Sequence, residues 1–121
     1  MDDSPQFGVE LLRPIGDLAV IVVEGELDIY TAPQLAEALM TCIHAGALRL
    51  VVDLAAVPFI DSSGLGVLVT GLKRLQPRGG SLDIVCSRAN VVRIFKVTGL
   101  LSIFGLHASR EAALAASSRP G

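Results

Sequence analysis

The sequence predicts an α/β fold with one largely parallel β-sheet, and three observations carry that prediction. Strand-like apolar runs alternate with helix-like stretches from one end of the chain to the other. The apolar runs hold almost no polar side chain, as strands covered on both faces require. No repeat or linker interrupts the alternation, so the 121 residues read as one domain, 1–121, with its core at about 8–116 and frayed ends. At 51% hydrophobic residues and a mean hydropathy of +0.60, the chain has ample material for a core.

The elements follow in order. Val9 to Leu12 reads as a first strand, with Pro14 to Asp17 as the turn of a hairpin. "LAVIVVEGELD" (Leu18 to Asp28) is a buried, β-branched strand ended by Gly25. In "TAPQLAEALMTCIHAG", Thr31 and Gln34 have the spacing of a capping box, and Pro33 is tolerated in a first turn. Leu35, Ala38, Leu39, Cys42 and Ile43 then form one apolar stripe of a helix that stops at Gly46. "LRLVVDLAAV" (Leu48 to Val57) is the next strand. A second helix starts within "FIDSSGLGVLV", with Leu65, Leu68, Val69 and Leu72 facing inward, and "QPRGG" closes it. "SLDIVC" is a short strand. "SRANVVRIFKVTG" is a third helix with Val91, Ile94, Phe95 and Thr98 on one face and Arg93 and Lys96 on another; "LLSIFGL" supplies an edge strand. Ser109 caps a final helix with Glu111 in its first turn, and "SSRPG" frays. The leading hairpin makes the sheet mixed: four or five strands covered by about four helices.

Composition excludes several functions. A net charge of -2 and a pI near 5.6 disfavour a protein held on nucleic acid by phosphate contacts, and five aromatics without Trp disfavour base stacking. The charges are nonetheless segregated. Asp2, Asp3, Glu10, Asp17, Glu24, Glu26 and Asp28 face a single base, Arg13, in the first part, whereas Lys73, Arg74, Arg78, Arg88, Arg93 and Lys96 surround only Asp83 later on. Matching patches on a protein partner would fit that asymmetry, as would solvated surface. Arg93 and Lys96 read mainly as a solvated helix face. Cys42 and Cys86 have neither metal nor C-x-x-C spacing and read as reduced core thiols of a cytoplasmic protein. "MDDSPQFG" is too acidic for a secretory leader, and Val97 to Ser109 is too short to span a membrane.

Catalysis finds little support. A nucleophilic Ser62 or Ser63 needs a base, yet His44 ends a helix, His107 lies near the C-terminus, and "DSSGLG" is not the G-x-S-x-G elbow. No group of residues has metal-ligand spacing, and "SSGLG" is not a Walker loop, so neither metal nor cofactor is expected. "RGGS" (Arg78 to Ser81) reads as a turn. What remains is "DSSG". Asp61, Ser62 and Ser63 stand where a strand hands over to a helix, and two readings fit. They cap the helix and do nothing else, or the helix start presents one hydroxyl for modification beside anions: Asp61 itself, and Asp28 and Asp53 at neighbouring strand ends. A phosphate adding about -1.5 to -2 charge there would switch docking more readily than fold.

"GELDIYTAPQL", "LVVDL", "FIDSSGLGVLV", "GGSLDIVC" and "RIFKVTGL" occur in an order and at spacings that resemble the STAS domain, and within it the anti-sigma factor antagonists of actinomycetes. The resemblance runs from about Val20 to the last helix and leaves Met1 to Gly8 and the tail outside. It implies a compact α/β domain that is not an enzyme, binds an anti-sigma factor that is also a serine kinase, and so releases a sigma factor. It further implies that the kinase phosphorylates Ser62 and that a serine phosphatase restores the bare form. Ser63 is then a helper of loop geometry, and Asp28, Asp61, Ser62, Ser63, Gly64 and Leu65 form the partner surface. A STAS subunit acting as a scaffold in a membrane transport or stressosome-like assembly is the alternative the same resemblance allows.

Overall fold

A computed structural model describes residues 6–117. Five strands form one sheet in the order β1-β2-β3-β4-β5: Gly8–Ile15, Leu18–Glu24, Arg49–Ala56, Ser81–Val85 and Gly105–His107. β1 runs antiparallel to β2, and every later pair is parallel. Helices α1 (Ala32–His44), α2 (Ser62–Leu75) and α3 (Ala89–Val97) make the three crossovers, and α4 (Arg110–Ser117) follows β5. The sheet is therefore the mixed, mostly parallel one expected, with five strands and four α-helices among the described residues. Of the ends expected to fray, residues 1–5 and 118–121 lie outside the described residues, whereas Ser117, the first residue of "SSRPG", is the last of α4.

Strand order explains where the helices go. Parallel crossovers are almost always right-handed, and here the order never reverses, so all three connecting helices land on the same face. Their stripes meet Ala19, Ile21, Val23, Leu50, Val52, Leu82 and Ile84 in one large core that also holds Leu35, Leu39, Leu68, Leu72, Val91 and Phe95. The opposite face carries Val20, Val51 and Val85, and among the described helices only α4 reaches it, through Ala113 and the half-buried Leu114. Without a reversal of strand order, the sheet also lacks the crevice where doubly wound sheets hold nucleotides.

Three local expectations change. The edge strand expected over "LLSIFGL" is confined to Gly105–His107, and Leu100–Ser102 ahead of it forms a turn of 3-10 helix. β1 continues to Ile15, leaving Gly16 and Asp17 as the turn; Pro14 is accommodated in the strand because β1 is an edge and its register shifts between Leu12 and Ile15. The capping box at Thr31 and Gln34 does not form. The Thr31 hydroxyl instead accepts from the Asp28 amide at 2.9 Å and donates to the Glu26 carbonyl at 2.8 Å, so it faces back toward the strand. Ser109 caps α4 as expected, its Oγ accepting from the Ala112 amide at 3.1 Å. Both cysteines are free and buried, and burial pushes the Cys86 thiol up to about 11 and raises Cys42 as well.

Candidate functional site

The site forms where β2 and β3 run out. Their pairing continues past both strands through a single parallel bridge, Leu27 with Ile60: the Leu27 amide donates to the Phe59 carbonyl at 3.0 Å, and the Asp61 amide donates to the Leu27 carbonyl at 3.1 Å. Leu27 and Ile60 are buried in the main core. Because side chains alternate along extended chain, the neighbours Glu26, Asp28, Phe59 and Asp61 turn outward. The bridge thus sets two aspartates side by side, each at the entrance of a helix.

Each aspartate orders its own turn. Asp28 Oδ1 accepts from the amides of Tyr30 at 2.9 Å and Thr31 at 3.1 Å, an Asx turn that leads into α1. Asp61 is the N-cap of α2, with Oδ1 accepting from the amides of Ser63 at 2.8 Å and Gly64 at 3.3 Å. Only one oxygen of each carboxylate is used; both Oδ2 atoms are without a hydrogen bond among the described residues.

Ser62 is the first residue of α2 and is exposed, and its hydroxyl bonds to none of the described residues. Ser63 is half-buried and lines the mouth of an apolar groove of about 370 Å³ between α1 and α2, beside Ala36, Met40, Gly66, Val67 and Thr70. Gly64 and Leu65 are buried behind the site. A Cβ on Gly64 would stand 2.7 Å from Leu27 Cγ and 2.9 Å from Ile60 Cγ1, so glycine is what lets α2 seat against the bridge. The segment before Asp61 is tied to the next crossover, since the Asn90 amide group donates to the Pro58 carbonyl at 2.7 Å and Arg88 Nε to the Ala55 carbonyl at 3.3 Å.

The structure brings Asp28, Asp61, Ser62 and Ser63 together but not Asp53. That carboxylate lies on the opposite face of the sheet, 6% exposed, accepting from Arg110 Nε at 2.9 Å through one oxygen and from the Ala55 amide at 2.9 Å through the other. Its neighbours in β3 are apolar on both sides, so sequence alternation shows no parity to reveal its face. His107 also has a partner that the sequence did not indicate: its Nε2 lies 2.9 Å from Asp83 Oδ1 across the β4–β5 pair. Neither group is near Ser62. Among the described residues there is no cluster that could hold a metal ion and no helix long and apolar enough to cross a membrane. Sequence reasoning missed Ile29, Tyr30 and Phe59, three large apolar side chains left exposed around the bridge. The signal was available: "DIYT" puts two bulky residues at a strand end where turn chemistry favours small polar ones.

The sheet order, the crossovers and the serine at the start of α2 define a STAS domain, and the sequence matches that domain family over residues 11–113. The chain is 38% identical over 89 residues to the anti-sigma-B factor antagonist of Bacillus subtilis (strain 168), a span of 74% of this chain and 81% of that one. It is 40% identical over 95 residues to the anti-sigma-B factor antagonist of Listeria monocytogenes, spanning 78% and 83%. A crystal structure of an anti-sigma factor antagonist from Mycobacterium paratuberculosis superimposes with a TM-score of 0.82 at 31% identity, covering 98% of each chain. The chain belongs to the anti-sigma factor antagonist family of STAS domain proteins.

Proposed function

We propose that the bare form of this chain binds a cognate anti-sigma factor that is also a serine kinase, freeing a sigma factor in the cytoplasm, and that phosphorylation of Ser62 ends the binding. One observation supports this reading above the others: Ser62 offers an unengaged, exposed hydroxyl at a helix start, flanked by Asp28 and Asp61. In the transfer, Ser62 Oγ attacks the γ-phosphorus of ATP, the bond to ADP breaks, and the hydroxyl proton passes to a base of the kinase. A phosphatase returns the serine by hydrolysis. The product carries about -1.5 to -2 additional charge beside two carboxylates. The Ser62 amide, the one amide at the start of α2 that no described residue accepts from, can meet part of it, and no core side chain has to move. Asp28, Asp61, Ser62 and Ser63 then make the contact surface, while Gly64 and Leu65 hold it in place from behind.

Incubation of the chain with the purified kinase and ATP, followed by mass spectrometry, places one phosphate on Ser62 and none on a Ser62→Ala variant. Ser62→Asp binds the kinase at least tenfold more weakly than the unmodified chain, by calorimetry. Label on another residue, or normal binding by Ser62→Asp, counts against the reading.

A further inference from the structure

Ile29 is 64% exposed, Tyr30 86% and Phe59 44%, and all three lie within three residues of the Leu27–Ile60 bridge. Solvent-facing apolar side chains of that size are ordinary when scattered, but here they share one edge with Ser62. Their backbone is fixed. The Asx turn at Asp28, the Thr31 bonds to Asp28 and Glu26, and the amide bonds through the bridge leave little freedom in the turn that carries Ile29 and Tyr30. A rigid aromatic loses little entropy when it is covered, which is why such residues dominate binding energy at interfaces. The same edge holds the unused Oδ2 atoms of Asp28 and Asp61, which call for donors on whatever covers it.

We propose that Ile29, Tyr30 and Phe59 are the anchors of the docking surface, and that they fit an apolar pocket of the anti-sigma factor whose rim brings basic donors to Asp28 and Asp61. This rests on the phosphorylation reading above and adds the source of affinity and the reason a phosphate abolishes it. In the bare form the rim matches two carboxylates. A phosphate roughly doubles the negative charge at the edge. The surrounding apolar contact excludes the water that would solvate it, so like-charge repulsion and desolvation act together.

The test is calorimetric titration of the purified kinase anti-sigma factor with wild-type chain and with Ile29→Ser, Tyr30→Ser, Tyr30→Phe and Ile103→Ser. Ile103 is also exposed but lies beyond α3, at the opposite edge of the sheet. Ile29→Ser and Tyr30→Ser each weaken binding about thirtyfold, while Tyr30→Phe and Ile103→Ser stay within about threefold. All four melt like wild type, because the side chains are exposed. If wild type binds and Tyr30→Ser binds equally well, the anchors are refuted and the phosphorylation reading stands. If wild type does not bind the kinase, both fall. A wild-type dimer in sedimentation that Tyr30→Ser dissolves would assign the patch to a second copy of this chain and overturn the proposal.

Discussion

The two faces of the sheet are built on different scales. One buries the stripes of α1, α2 and α3 against alternate residues of β2, β3 and β4. The other is closed over three valines by a single short helix that brings Ala113, the half-buried Leu114 and the Arg110 bond to Asp53. At about 1.5–3 kcal/mol for each large apolar side chain fully buried, the first face supplies most of the folding free energy. The functional edge stands on that face. Asp28 and Asp61 extend from buried residues of the main core, and Gly64 presses α2 against them. The difference teaches that the phosphorylation proposed for Ser62 would change surface charge on a well-anchored platform, whereas the α4 side can be perturbed without touching the site.

Four measurements break or sharpen that contrast. Phe95→Ala, in the main core, removes a fully buried ring packed edge-on against Phe104 at 6.0 Å, and costs about 3–5 kcal/mol by urea unfolding. Glycines of the α2 entrance come next. Gly64→Ala forces its Cβ into Leu27 and Ile60 and costs about 1–3 kcal/mol, whereas Gly66→Ala meets nothing within 4 Å and gains about 0.5–1 kcal/mol from helix propensity alone. Both are read in the same denaturation series. On the smaller face, Arg110→Ala leaves the buried Asp53 carboxylate without its cation. Arg110 is itself 40% exposed, so the loss is about 1–2 kcal/mol and not the larger figure of a fully buried pair. Kinase binding by this variant stays at the wild-type level. The last effect is absent at neutral pH and appears only at high pH. The folded Cys86 thiol keeps its proton to about 11, while an unfolded thiol ionises near 9.0, so unfolding releases a proton between those values. The stability it supplies is full below 9.0 and is lost as pH rises through about 11. Cys86→Ala flattens that part of the stability profile relative to wild type.

Much of the fold was legible because its signals are local. The stripe Leu35, Ala38, Leu39, Cys42 and Ile43, the Ser109 cap and the "DSSG" entrance to α2 each depend on residues a few positions apart. The capping box at Thr31 was misread for the same reason. Asp28 supplies a competing acceptor three residues upstream, and only the strand end determines which bond wins. Asp53 could not be placed, since a strand covered on both faces gives no alternation. His107 could not be paired with Asp83, since the register of β4 and β5 is set by the crossover between them.

The order of elements, the helix starts and the exposed alcohol at residue 62 were decided by the sequence alone, through periodicity and capping chemistry that act within one turn. Which face each strand residue took, which carboxylates became neighbours of Ser62, and that Ile29, Tyr30 and Phe59 were left in solvent were decided only by tertiary structure. Those outcomes depend on strand parity and on the shared hand of three crossovers, which no short stretch of chain contains.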